Sequence, residues 1–168
     1  MPDILCGNCG SETVVTRGQH RFTESGLSNV ILDDVEIVKC VNCGNEDPII
    51  PYMNQLMRNI AVALVSKPCR LVGEEIRYLR KYIGKSAVAF ARILDVDAAT
   101  LSKWEHGKQD IGAANDRLIR LIAVAMGDGV GPELRRLIET EFPEIQSACD
   151  ERIVRVHAKG ASYEYAYA

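Results

Sequence analysis

Apolar side chains recur every three or four residues through the middle of the chain and gather as β-branched or alternating runs towards both ends. In residues 52–66, Leu56, Ile60, Ala63 and Leu64 share one helical face, which predicts a helix stopped by Lys67 and Pro68. A second helix opens at Leu71, Val72 and Gly73, with Ile76, Leu79 and Ile83 facing inward and Glu74 and Glu75 in the first turn, where the helix dipole favours them. Two short helices follow, one set by Val88, Ala91 and Ile93/Leu94, the other by Leu101 and Trp104. Asn115 is expected to cap a further helix reaching Met126, with Leu118, Ile119, Leu121, Ile122 and Val124 giving it a broad apolar surface. Residues 132–142, bracketed by Pro132 and Pro143, read as another amphipathic helix.

Strand signals lie outside this helical middle. Residues 13–16 and 29–39 are rich in β-branched side chains, and turns are expected at Arg17-Gly18-Gln19 and Ser25-Gly26. Pro48 and Pro51 should end this ribbon. Residues 153–157 and 162–167 alternate around Lys159 and Gly160, which suits either a hairpin or a tail that pairs with a partner chain. The expected architecture is α+β in sequential parts. Residues 1–50 form a small metal-bound ribbon, residues 51–69 a linker helix that packs on one neighbour, residues 70–126 an all-α five-helix domain, and residues 127–168 a helix with a hairpin or tail.

The break between the two short helices is the most informative stretch. Asp95 falls where a tight turn between helices requires a residue near the left-handed conformation, which Asp tolerates better than most. Asp97 can then cap the second helix, and Gly107 stands where a helix-terminating glycine is expected. Helix, tight turn and helix make a helix-turn-helix, whose second member can enter the DNA major groove through its N-terminal residues. On this chain those residues are Asp97, Ala98, Ala99 and Thr100, with Lys103 one turn on. Lys103 can donate to guanine, Thr100 can hydrogen-bond, and the Ala98 and Ala99 methyls can touch a thymine methyl. Lys85, Ser86, Ser102, His106 and Lys108 flank them as candidate phosphate contacts.

Charge sharpens this reading. The net charge is −3, yet residues 70–126 carry 10 basic against 7 acidic side chains and are the one positive third of the chain. The excess is small, so docking geometry has to supply what charge does not. No apolar run approaches the roughly 18 to 20 residues of a membrane span and no signal peptide is evident, so a cytoplasmic location is the expectation.

Four of the six cysteines form two Cys-x-x-Cys pairs, Cys6 with Cys9 and Cys40 with Cys43, each followed by a glycine. The two-residue spacer lets both sulfurs of a pair reach one ion, and the glycine permits the turn that aims backbone N–H groups at sulfur. One structural Zn(2+) per chain is the expectation, with an iron centre held by four thiolates as a rival and a redox dithiol as a lesser one. Cys69 and Cys149 lack ligand spacing and read as core or surface thiols.

The run Ser102-Lys103-Trp104-Glu105-His106-Gly107 resembles the Xre/Cro family of helix-turn-helix repressors, in which the second helix ends in Ser, a basic residue, an aromatic, Glu, any residue and Gly. That resemblance implies an ion pair between an Arg of the first helix, here Arg80, and Glu105, and a homodimer acting on a palindromic operator. Two Cys-x-x-Cys-Gly knuckles ahead of such a unit resemble the MqsA (YgiT-type zinc finger) antitoxin family over roughly residues 4–126. The family resemblance implies a structural zinc, an autorepressor and a toxin partner that is an mRNA-cleaving ribonuclease. This chain has Ala99 where that family commonly has Asn and Lys103 where it has Arg, which implies a different operator. A stand-alone transcription regulator without a toxin is the alternative. Catalysis is not expected, because paired carboxylates, a nucleophile elbow and a phosphate loop are missing, and His20, His106 and His157 are scattered.

Overall fold

The structure, a computed structural model, describes residues 4–127, 153–160 and 162–167. The expected 132–142 helix and Cys149 lie outside the described residues. In chain order the elements are β1 (Thr13–Arg21), β2 (Val30–Cys40), β3 (Glu46–Ile49), α1 (Met53–Ser66), α2 (Gly73–Tyr82), α3 (Ala87–Ile93), α4 (Ala98–Glu105), α5 (Ala113–Met126), β4 (Val154–Lys159) and β5 (Ser162–Tyr167).

The sequential layout of a ribbon followed by an all-helical part is overturned. The described strands form one five-stranded mixed sheet, in which β2 pairs antiparallel with β1 and β3 but parallel with β4, and β4 carries β5 beyond it. The C-terminal hairpin therefore completes a sheet begun at the N-terminus. Its parallel register, Val30 beside Val154 and Leu32 beside Val156, joins segments far apart in sequence, a pairing that local periodicity cannot signal. The 70–126 stretch holds four described helices rather than five.

Asp34 explains how the edge of β2 away from β1 serves two partners, β3 and β4. Its φ of 56° places it in the left-handed region, and between the Gly18–Val35 and His20–Leu32 pairs two residues of β2 face one of β1. That is a β-bulge, and it resets the alternation so that Val30, Leu32 and Val35 all face the core. On one side of the bulge, residues 30–33 pair with β4; on the other, residues 36–39 pair with β3. The turn expected at Arg17-Gly18-Gln19 is not there, since β1 runs straight through opposite the bulge. Pro48 does not end the ribbon but sits within β3, opposite Ile37 in a short strand.

Helix α1 is more than a linker. Its buried residues include Leu56, Ile60, Ala61, Val62, Ala63, Leu64 and Val65, so its C-terminal half is apolar all round and packs on β4 and β5 as well as on α2 and α5. Asn59 Nδ2 donates to the Tyr163 carbonyl at 2.9 Å, and the Tyr163 hydroxyl donates to the Pro51 carbonyl. At the far corner, both the backbone N–H and the hydroxyl of Ser28 donate to Glu74 Oε1, at 3.0 and 2.6 Å, tying the β1–β2 connection to the first turn of α2. One continuous set of buried apolar residues runs from Phe22 and Leu27 through α1 to α5. Helix α5 begins at Ala113 with Gly112 at its N-cap, three residues before the Asn115 cap expected from the sequence. No described helix is long and apolar enough to cross a membrane.

Candidate metal centre and candidate nucleic-acid interface

The two cysteine knuckles meet at one end of the antiparallel β1–β2 pair, where Thr13 lies opposite Cys40. Each is a tight turn closed by a glycine N–H, Gly10 to the Cys6 carbonyl at 2.8 Å and Gly44 to the Cys40 carbonyl at 3.2 Å. Gly10 and Gly44 adopt φ of 70° and 71°, the conformation that requires glycine at this position. Sulfur–sulfur distances are 3.7 Å for Cys6–Cys43 and 3.5 Å for both Cys9–Cys40 and Cys9–Cys43, and all four sulfurs lie within 4.8 Å of one another. Metal–sulfur bonds of about 2.3 Å in a tetrahedron place sulfurs about 3.8 Å apart, so the four cysteines fit one tetrahedral ion.

Electrostatics at the cluster point the same way. Hydrogen bonds from Ser11 bring Cys9 down to about 6, and the Cys43 N–H, 3.5 Å from Cys40 Sγ, lowers Cys40. The Asn45 N–H pulls Cys43 down, but the crowding Cys40 and Cys9 sulfurs outweigh it and push Cys43 up to about 11. One metal ion among the four sulfurs could hold all of them as thiolates by offsetting their mutual repulsion. Sequence reasoning missed Asn8 and Asn42: Asn8 Nδ2 lies 3.8 Å from Cys43 Sγ and Asn42 Nδ2 3.9 Å from Cys9 Sγ, each amide reaching the other knuckle. Their signal was present, since each Asn directly precedes the second Cys of its pair. Cys69 is buried and disulfide-bonded, which corrects its reading as a thiol.

The second site is built on α3 and α4. Ser86 Oγ caps α3 by accepting from the Ala89 N–H at 3.2 Å, and Asp95 takes the turn with φ of 53°. Asp97 caps α4, accepting the Thr100 N–H at 2.8 Å and the Thr100 hydroxyl at 2.7 Å. Thr100 thereby holds the Asp97 carboxyl below its usual range. Gly107, at φ of 64°, closes the helix. The inward face of α3 is Phe90, Ala91 and Leu94; Val88 at 54% and Ile93 at 43% exposure point out, contrary to the spacing first read for them.

Beneath α4, Arg80 Nε and Nη2 grip the two carboxylate oxygens of Glu105 at 2.6 and 3.0 Å, while Nη1 donates to the Lys85 carbonyl at 2.9 Å. Arg77 Nη2 donates to the Glu105 carbonyl at 2.8 Å. Gly73 lets α2 approach so closely that an added Cβ would lie 2.5 Å from the Trp104 carbonyl oxygen. Leu101 and Trp104 are buried, and the indole Nε1 finds no hydrogen-bond partner among the described residues.

The outward face of α4 carries Ala98, Ala99, Ser102, Lys103 and His106, all exposed, with Thr100 half-buried. Ser86 and Lys108 flank it exposed, and Lys85 is half-buried. His106 Nδ1 lies 2.7 Å from the Ser102 carbonyl, which can only accept, so the hydrogen sits on Nδ1. Nε2 can then donate to a phosphate only when the ring is charged. In comparisons with known proteins, no family model, no curated protein and no solved structure matches the chain.

Proposed function

We propose that the protein binds double-stranded DNA sequence-specifically through α4, represses transcription from a palindromic operator as a homodimer, and is the antitoxin of a type II toxin–antitoxin pair. The observation that carries the DNA reading is an outward α4 face of small and polar side chains over an inward face locked by Arg80 and Glu105. A short helix so anchored can enter the major groove without rearranging, with Ala98, Ala99, Thr100 and Lys103 at the bases and Lys85, Ser86, Ser102, His106 and Lys108 towards the phosphates. Two such helices in a dimer would meet half-sites about 34 Å apart.

The four cysteines would hold one structural Zn(2+). A site with four protein thiolates has no open position for water, so the ion would fix the knuckles and do no chemistry. The toxin assignment rests on the resemblance of the knuckles and of the α4 motif to the MqsA family, and assigns the metal-bound end to the toxin. A stand-alone regulator differs from this in one observable, a toxin reading frame beside the gene.

The test is a gel shift of full-length, metal-loaded protein on duplex from its own upstream region at moderate salt. Lys103→Ala should weaken binding to that duplex by about 1 to 3 kcal/mol and relax its sequence requirement. Failure to bind the upstream duplex, or equal losses on specific and random DNA, would contradict the reading.

A further inference from the structure

The N-terminal turn of α4 has a polarity. The Thr100 hydroxyl spends its only hydrogen on Asp97 Oδ2 at 2.7 Å, while Asp97 Oδ1 receives the Thr100 N–H at 2.8 Å. What the pair turns outward is therefore lone pairs alone, those of a carboxylate and of a hydroxyl whose donor is already used. Asp97 is exposed and Ala98 and Ala99 beside it carry no polar side-chain atoms, so nothing adjacent masks this acceptor surface.

Major-groove edges divide by the same criterion. Cytosine offers the N4 amino group and adenine the N6 amino group, whereas guanine O6 and N7 and thymine O4 are acceptors. Resting on the reading of α4 as the groove-entering helix, we propose that Asp97 and Thr100 act as one acceptor unit that selects an amino-bearing base, cytosine or adenine, at the base pair facing the start of α4. Lys103, a donor one turn on, selects the opposite class at its own position. The helix thus reads an acceptor-then-donor code along the groove. Asp97 becomes a specificity-determining residue as well as a cap.

A substitution can invert the unit while keeping the cap. Asn caps helices as well as Asp does. In Asp97→Asn, Oδ1 still accepts the Thr100 N–H, but Nδ2 now donates to Thr100 Oγ1 and releases the hydroxyl hydrogen outward. The surface gains donors where it had none. Thr100→Val, close to isosteric, leaves the backbone half of the cap and deletes the hydroxyl.

The experiment selects bound duplexes from a randomised pool with full-length, metal-loaded protein and sequences them. The wild type should enrich a half-site in which one position, distinct from the one relaxed by Lys103→Ala, favours cytosine or adenine roughly tenfold. Asp97→Asn should admit guanine or thymine there, and Thr100→Val should flatten that preference severalfold. A wild-type preference for guanine or thymine at that position, or an Asp97→Asn motif identical to the wild type, overturns the inference and leaves DNA binding standing. A wild type that enriches no motif overturns the DNA reading and this inference with it.

Discussion

Arg120 and Asp116 form a fully buried ion pair one turn apart on α5, Nε to Oδ2 at 3.0 Å. The pair is a plug for the end of another helix. Arg120 Nη1 donates to the Val65 and Lys67 carbonyls at 2.9 and 2.7 Å and reaches that of Leu64 at 3.5 Å, while Nη2 takes the Cys69 carbonyl. Asp116 Oδ1 accepts the Leu71 N–H at 2.8 Å. The carbonyls of Val65, at the end of α1, and of Lys67 and Cys69, just beyond it, are thus satisfied from α5. Beside them the Lys67 ammonium sits 2.9 Å from both oxygens of Glu75, also buried. Burial raises the Glu75 carboxyl even against that neighbour.

Arg120→Met should therefore destabilise the protein by about 3 to 5 kcal/mol, because it leaves the Asp116 charge unpaired and takes the guanidinium donors from the Val65, Lys67 and Cys69 carbonyls. Many buried ion pairs can be exchanged for apolar residues at no loss. Here the double variant Asp116→Leu/Arg120→Met should remain destabilised, since the carbonyls stay orphaned. Urea unfolding followed by the fluorescence of Trp104, the single tryptophan, measures both. A double variant as stable as wild type would mean the carbonyls find other partners.

The Arg80–Glu105 pair should behave differently. Its attraction is offset by desolvation, so its net contribution to stability is small, whereas its geometry sets the pose of α4. Glu105→Leu alone should cost about 3 kcal/mol by leaving Arg80 unpaired, and adding Arg80→Met should recover most of that. DNA affinity should not recover with it, remaining about tenfold down, because the bidentate Arg80–Glu105 clamp is gone and only the Arg77 bond to the backbone carbonyl of position 105 then holds α4 against α2. Parallel urea titrations and gel shifts separate the two quantities. Recovery of affinity together with stability would reduce the pair to packing.

Short-range chemistry was legible in the sequence and long-range pairing was not. Asp95, Asp97 and Gly107 stand where cap and turn rules put them, and the knuckle glycines have the conformation their spacing demanded. Phe90 was overlooked because Val88 fits a three-to-four period equally well on so short a helix. The parallel β2–β4 seam depends on contacts between residues 30–33 and 154–157, and no local window contains both. Nor could periodicity foresee the bulge at Asp34, since only opposing registers define it.

That seam changes what metal removal should do. A ribbon standing alone would unfold without its ion, because it has too small an apolar core to persist. The β1–β2 pair is instead anchored beyond the Asp34 bulge, where Phe22, Leu27, Val30 and Leu32 pack with Val154 and Val156 into the shared core. The other half, with β3 and the knuckles, exposes Val14, Val15, Val41 and Ile49 and has little apolar burial of its own. Chelation should accordingly melt the cysteine end as one unit and stop at the bulge. Native-state hydrogen exchange after chelation should show fast exchange at Gly10, Val38, Cys40 and Gly44, whose backbone bonds belong to that end, while Leu32 and Val156 keep their protection. Asn8→Ala and Asn42→Ala, which remove amides from thiolate sulfur, should weaken metal binding by about tenfold each without extending the melted region. Loss of protection at Leu32 together with the knuckles would show that the ion supports the whole sheet.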